Sequence, residues 1–154
     1  TRHMGQAEER ARELFNEGYN CAQAVFGAFC PELGMDFSQG MRMVSSMGGG
    51  IGRLREVCGA VSGMMLALGC RYGSDDPADT AAKREQYARV QELARRFREE
   101  NGSIVCRELL GLDHSSDGPV PEKRTEAYYQ KRPCLELVGC AARLLEEYMA
   151  EQEN

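Results

Sequence analysis

Apolar residues recur along this chain with the three- and four-residue spacing of helices, and no stretch keeps the alternation typical of a strand. Asn20 and Asp79 are good helix caps, and Pro31 and Gly34 are expected to end a helix. We predict helices over 7–17, 20–29, 37–47, 54–68, 79–101, 104–110 and 133–151. The predicted class is therefore all-α, with six or seven helices in a single compact domain over residues 5–154.

A glycine-rich run at 48–52 breaks the third predicted helix, and a charge-free stretch that includes Cys58 follows it. That stretch is too short to span a bilayer, which takes about 20 residues. We therefore predict a buried central helix there. Glycine costs a helix about 1 kcal/mol relative to alanine, so Gly59 and Gly63 must serve a purpose, and we expect them to permit a close helix crossing.

The composition and charge of the chain limit the classes of protein to which it can belong. The chain has 154 residues, is 42% hydrophobic and carries a net charge of -5, which predicts a globular protein that is not integral to a membrane. No basic stripe of the kind that binds nucleic acid is present in the sequence. Residues 1–4 look like an expression scar. A homo-oligomer is compatible with this composition.

Seven cysteines are many for a chain of this length, and the number is odd. A secreted disulfide scaffold is normally shorter, with an even count. We therefore expect a cytoplasmic protein whose thiols are reduced, ligating or reactive.

Four of the cysteines fall near the starts of predicted helices and on their apolar faces: Cys21, Cys58, Cys106 and Cys134. The N-terminus of a helix carries a partial positive charge of about half an elementary charge. That charge favours the thiolate, which is the form that binds metals and attacks disulfides. These four are the candidate site residues.

The other cysteines are assigned differently. Cys30 and Cys70 are expected to be packing residues, because free cysteine behaves as a small hydrophobe. Cys140 lies at the margin of its apolar face and is the best candidate for an additional participant. His114 falls in a polar loop over 111–121, where we expect it to be solvated rather than to bind a metal.

The motif Cys58-Gly59-Ala60-Val61-Ser62-Gly63 resembles that of a family of small redox-active proteins named for a C-G-A-x-x-G motif and four characteristic cysteines. Segments 17–25, 48–53, 102–111 and 131–134 are also similar to that family. The resemblance implies that the four candidate cysteines are the family's four, and that the protein has a redox role. A similar domain lies beside haem-binding sequence in some cytochromes. This chain has no C-x-x-C-H, so covalent c-type haem is not expected.

Iron–sulfur ligation with electron transfer is the favoured chemistry at this stage, because four inward-facing cysteines exceed what a dithiol needs. Four thiolates can complete the coordination of a cluster. The backbone at four glycines would then approach the cluster sulfurs: Gly49, Gly50, Gly52 and Gly59.

Two alternatives stay open. In the first, the protein is a thiol–disulfide oxidoreductase that acts on a redox partner protein or a small disulfide, with Cys58 as the reactive thiol because small residues beside it leave room for a substrate. In the second, the four cysteines hold a structural zinc ion without redox chemistry. Structural zinc usually draws on closely spaced cysteine pairs, which this chain lacks.

Overall fold

The computed structural model describes residues 2–154, whose regular secondary structure is helical. The eight α-helices are α1 (Gln6–Asn16), α2 (Cys21–Leu33), α3 (Phe37–Val44), α4 (Gly59–Tyr72), α5 (Thr80–Asn101), α6 (Cys106–Leu109), α7 (Glu126–Lys131) and α8 (Cys134–Glu153). A 3-10 turn, Ser45–Met47, continues α3. Residues 2–154 contain no β-strand, only one isolated bridge between Val57 and Val105. The all-α prediction is confirmed, and the unpredicted helix is α7, which is too short to show a helical period.

The core lies where α2 packs against α1, α4 and α8. Its largest fully buried side chains are aromatic and aliphatic: Phe15, Phe26, Phe29, Phe97, Leu14, Met64, Leu68, Leu93, Leu145 and Met149. Helices α2 and α4 cross closely at Gly63, where a Cβ would stand 2.4 Å from the carbonyl oxygen of Ala22. The predicted close crossing is therefore confirmed. No helix within residues 2–154 is long and apolar enough to cross a membrane.

The two predicted helix caps are confirmed. The Asn20 side chain accepts a hydrogen bond from the backbone N–H of Gln23, whose side chain accepts one from the N–H of Asn20. The Asp79 side chain accepts a hydrogen bond from the N–H of Ala82 at the start of α5. Both satisfy amides that a helix leaves without an internal partner.

Three predicted helix boundaries are wrong, one of them the end of the central helix, which was predicted at 68 and lies at Tyr72. Pro31 lies inside the last turn of α2, which ends at Gly34, where the left-handed φ of 66° stops the helix. The central helix begins at Gly59 and not at 54, because the backbone before it is left-handed as far as Arg55. Leu54 consequently points outward and is 51% exposed.

Residues 2–4 contact the domain. The guanidinium of Arg2 forms ion pairs with Glu32 at 2.9 Å and with Glu153 at 3.0 Å. Thr1 lies outside the described residues, and the origin of 1–4 as an expression scar stays a prediction.

Candidate functional site

Four helix starts converge on one cavity of about 410 Å³. Cys21, Cys106 and Cys134 are the first residues of α2, α6 and α8, and Cys58 is the residue that precedes α4. All four cysteines line the cavity. The structure thus brings together the four residues singled out in the sequence, although they are separated by long stretches of chain.

Backbone pairing holds Cys58 beside Cys106. The N–H of Cys58 donates to the carbonyl of Ile104 at 2.8 Å, and the N–H of Cys106 donates to the carbonyl of Glu56 at 2.6 Å. Gly50 lies directly behind, where a Cβ would stand 2.7 Å from the Cβ of Cys106. A side chain at position 50 would therefore push these two segments apart.

Glycine also allows Cys21 to approach the start of α4. A Cβ on Gly59 would stand 3.1 Å from the Cβ of Cys21 and 3.1 Å from the carbonyl oxygen of Met47. Gly49, Gly52 and Gly59 line the cavity, whereas Gly50 is buried against Cys106. The four glycines expected near the site are thus at or immediately behind its wall.

The segment between α3 and α4 is unusual because its backbone is left-handed through consecutive residues. Gly49, Gly50 and Gly52 have positive φ angles, as do the non-glycine residues Ile51 at 68° and Arg53 at 69°. Left-handed backbone costs a residue with a Cβ roughly 1–2 kcal/mol. These strained residues lie at the edge of the cavity, and the side chains of Arg53 and Arg55 line it.

Arg55 is the most buried of these arginines, with 6% of its surface exposed and a φ of 61°. One terminal nitrogen, Nη1, lies 3.6 Å from the sulfur of Cys106, and Nε donates to Asp117 Oδ2 at 2.8 Å. The other oxygen of Asp117 lies 2.9 Å from Nε2 of His114. His114 therefore belongs to a chain of contacts that leads to Cys106, although it was expected only to be solvated.

Two cysteines form an asymmetric pair. The neighbouring thiol of Cys21, helped by Tyr128 and Arg132, lowers the pKa of Cys134 to about 7. The neighbouring Cys134 and burial raise the pKa of Cys21 well above its ordinary value. Since Cys134 also begins a helix of 20 residues, the helix dipole acts in the same direction. Of the two thiols, Cys134 therefore loses its proton first.

The remaining two cavity cysteines favour the neutral thiol. Burial raises the pKa of Cys58 to about 12, although the amides of Val61 and Ala60 act against this. Burial also raises the pKa of Cys106, against the opposing effect of Arg55. The pKa is thus lowered at Cys134 and raised at Cys58, the cysteine that its small neighbours had suggested as the nucleophile.

The other three cysteines lie outside the cavity. Cys30 is buried in the core, whereas Cys70 is exposed on α4 and does not pack as expected. Cys140 contacts Asn101 and Arg143, at the interface of α5 and α8. It is therefore not an additional participant in the four-cysteine site.

The donor set has the right chemistry for a metal, but its spacing does not suit a single ion. Within residues 2–154, no three His, Cys, Asp or Glu side chains are grouped closely enough to hold one metal ion. A structural zinc ion needs four ligands at about 2.0–2.3 Å. The zinc alternative therefore gains no support from the arrangement of the thiols.

The fold and the site define a small all-α protein in which four cysteine thiols share one cavity. A sequence model of the family described as "Putative redox-active protein (C_GCAxxG_C_C)" matches residues 19–148, and the chain belongs to this family. An "Uncharacterized protein" of Archaeoglobus fulgidus is 27% identical over 158 residues, which cover 97% of each chain. No solved structure gives a significant match. The family resemblance inferred from the sequence is thereby confirmed.

Several site residues could not be found by reading the sequence. Asp117 is brought to Arg55 across more than sixty residues of chain. Tyr128 and Arg132 reach Cys134 from α7 and the turn after it. The only local signal was the proximity of Arg132 to Cys134 in sequence, which gave no indication of its orientation.

Proposed function

We propose that the protein is a thiol–disulfide redox protein in which Cys134 is the attacking thiolate and Cys21 the resolving thiol. One observation carries this proposal: Cys21 and Cys134 are the first residues of α2 and α8, and both line one cavity that is open to a small molecule. Membership of the redox-active family supports it. Thiolate attack on a disulfide is the reaction for which such a polarised pair is suited.

The reaction balances without a cofactor. The thiolate of Cys134 attacks one sulfur of a disulfide substrate, the substrate S–S bond breaks, and the released thiolate takes a proton from solvent. The thiol of Cys21 then gives its proton to solvent and attacks the sulfur of Cys134, which releases the second half of the substrate as a thiolate that takes up a proton. The substrate gains two electrons and two protons, and the protein gains the Cys21–Cys134 disulfide.

The first test identifies the disulfide. The exposed Cys70 is replaced in all variants (Cys70→Ser), the reduced protein is treated with a small disulfide, and the product is mapped by mass spectrometry. We expect a Cys21–Cys134 bond, and we expect Cys134→Ser to slow the reaction by about a hundredfold or more. The matched control is Cys140→Ser, outside the cavity, which should react at the parent rate. A disulfide that joins Cys58 to Cys106, or an unchanged rate in Cys134→Ser, would contradict the proposal.

The second test is the pH dependence of the reaction. Because only the thiolate attacks, alkylation of Cys134 should accelerate as pH rises through about 7 and level off above it. Arg132 favours the thiolate, so Arg132→Gln should move this rise to higher pH. The measurement is the rate of iodoacetamide labelling at Cys134. A rise only near the pKa of an ordinary thiol would show that Cys134 is not activated.

A second candidate function is supported by the four-thiol lining of the cavity. A four-iron cluster is held by one cysteine thiolate on each iron, so its ligands are spaced more widely than those of a single ion. Cys21, Cys58, Cys106 and Cys134 would hold it, and it would supply one-electron transfer. Arg55, beside the sulfur of Cys106, would stabilise negative charge on that ligand.

Anaerobic purification separates the two functions. Stoichiometric iron and sulfide, with visible absorption lost in Cys58→Ser, would favour the cluster and overturn the dithiol. Iron-free protein that forms the Cys21–Cys134 disulfide reversibly would favour thiol exchange. Cys58→Ser is the decisive variant because Cys58 is required as a ligand but takes no part in the dithiol reaction.

A further inference from the structure

The cavity differs in charge from the protein around it. The whole chain carries a net charge of -5, yet the cavity wall contains four arginines and one glutamate: Arg53, Arg55, Arg124, Arg132 and Glu122. Such a concentration of one sign attracts ligands of the opposite sign.

Two of the arginines are already neutralised. Arg55 pairs with Asp117 at 2.8 Å, and Arg132 pairs with Glu122 at 3.1 Å. These ion pairs hold the loop and the approach to α8 in place. Because each of these two arginines already has a carboxylate partner, neither offers much positive charge to a ligand in the cavity.

The other two arginines have no carboxylate partner among residues 2–154. Arg53 donates its Nε to the carbonyl of Gly118 at 2.7 Å, which leaves its terminal nitrogens available. Arg124 donates to the backbone carbonyls of Phe15 and Tyr19 and lies over the Phe15 ring, 3.8 Å from its centroid. Carbonyls orient a guanidinium without cancelling its charge, so two positive charges face the cavity uncompensated.

Much of the rest of the wall is apolar, and this part includes Phe15, Leu109, Leu110, Tyr128 and Leu137. A volume of about 410 Å³ suits a small molecule rather than a folded partner. An occupant with a short apolar body and terminal negative charge would match both the walls and the two arginines.

We propose that the substrate of the Cys21–Cys134 pair is a small disulfide that carries carboxylate groups, recognised by Arg53 and Arg124. This inference rests on the proposed thiol–disulfide function. The chemistry is the exchange already described: the carboxylated disulfide is reduced to two carboxylated thiols while the cysteine pair is oxidised.

The test compares three disulfides of similar length: dithiodipropionate, with two negative charges, bis-hydroxyethyl disulfide, with none, and cystamine, with two positive charges. The reduced protein, with Cys70→Ser, is oxidised by each, and every rate is divided by the rate of the same reagent with the urea-unfolded chain. We expect the normalised rate to fall in that order, with about tenfold or more between the first and the last at low salt. Added salt should shrink the difference, because it screens charges over about 10 Å at 0.1 M.

Single substitutions test which arginines cause the preference for a negatively charged disulfide. Arg53→Gln should lower the rate of the anionic reagent relative to the neutral one by about fivefold, and Arg124→Gln should act in the same direction. The matched control is Arg42→Gln, on α3 outside the cavity wall, which should leave the ratio unchanged.

The outcomes separate the two proposals. Equal normalised rates for the three reagents, or an equal effect of Arg53→Gln and Arg42→Gln, would overturn the charge preference while thiol exchange stands. Failure of every reagent to form the Cys21–Cys134 disulfide would overturn thiol exchange itself, and the substrate class with it.

Discussion

Two charged side chains are buried within residues 2–154, and they lie in different regions. Glu146, on α8 in the helical core, accepts hydrogen bonds from the backbone N–H groups of Gly5 at 2.6 Å and Ala7 at 3.4 Å. It therefore serves the fold, since a carboxylate at a helix N-terminus satisfies free amides. Arg55, at the cavity, instead contacts the sulfur of Cys106 and Asp117. Glu146 therefore caps a helix, whereas Arg55 acts on a cysteine of the cavity.

The helical core and the cavity wall also differ in backbone conformation. The core consists of right-handed helices packed through aromatic and aliphatic side chains. The cavity wall contains left-handed residues, including Arg53 and Arg55, and Ile51 beside the wall is left-handed too; each such residue costs stability. The favourable packing of the core offsets the free-energy cost of these strained residues. Changes in the core should therefore act on unfolding, and changes at the wall should act through backbone strain or thiol chemistry.

The largest expected effect comes from the helix crossing. Gly63→Ala would place a Cβ 2.4 Å from the carbonyl oxygen of Ala22, so α2 and α4 must separate. We expect a loss of about 3 kcal/mol in the free energy of unfolding, measured by urea denaturation followed by circular dichroism. Since Ala22 adjoins Cys21, thiol reactivity should change as well.

Gly69→Ala is the matched control on the same helix. A Cβ at position 69 meets nothing within 4 Å, so only helix propensity changes. This variant should gain about 1 kcal/mol. A similar loss in both variants would show that the crossing is not as close as described.

A smaller effect is expected at the buried carboxylate. Glu146→Gln removes the negative charge that faces Gly5 and Ala7 and replaces one acceptor oxygen with an amide donor. We expect a loss of about 2 kcal/mol in the free energy of unfolding, with alkylation of Cys134 unchanged. The neighbouring Glu147→Gln removes only a half-exposed ion pair with Arg143 and should cost about 0.5 kcal/mol or less. Altered thiol reactivity in Glu146→Gln would mean that the two regions are coupled.

Sequence patterns predicted the core better than the cavity because they report local interactions. Apolar periodicity and caps such as Asn20 and Asp79 depend on residues a few positions apart, and these predictions are confirmed. The start of α4 was misplaced because the left-handed course of Arg53 and Arg55 is fixed by distant contacts. Among these, the N–H of Cys106 donates to the carbonyl of Glu56.

The site was predicted only in part for the same reason. Helix starts and the family motif singled out the four cysteines that line the cavity. The protonation of those cysteines depends on Arg55, Tyr128 and Arg132, which approach in three dimensions. Helix position alone would assign a lowered pKa to all four, but burial reverses this for Cys58.

The smallest effect tests the backbone strain in the left-handed segment that adjoins the cavity wall. Ile51 and Leu66 are nearly equally exposed, at 39% and 38%, but Ile51 has a φ of 68° and Leu66 lies within α4. Asparagine tolerates left-handed backbone far better than a β-branched residue. Ile51→Asn should therefore leave the free energy of unfolding nearly unchanged, because relief of the backbone strain offsets the lost apolar burial. Leu66→Asn loses a similar burial and also helix propensity, so it should cost about 2 kcal/mol. Because asparagine can adopt the same backbone conformation, the rate of alkylation at Cys134 should be unchanged in both variants. An equal loss of stability in the two variants would show that no strain is stored at position 51.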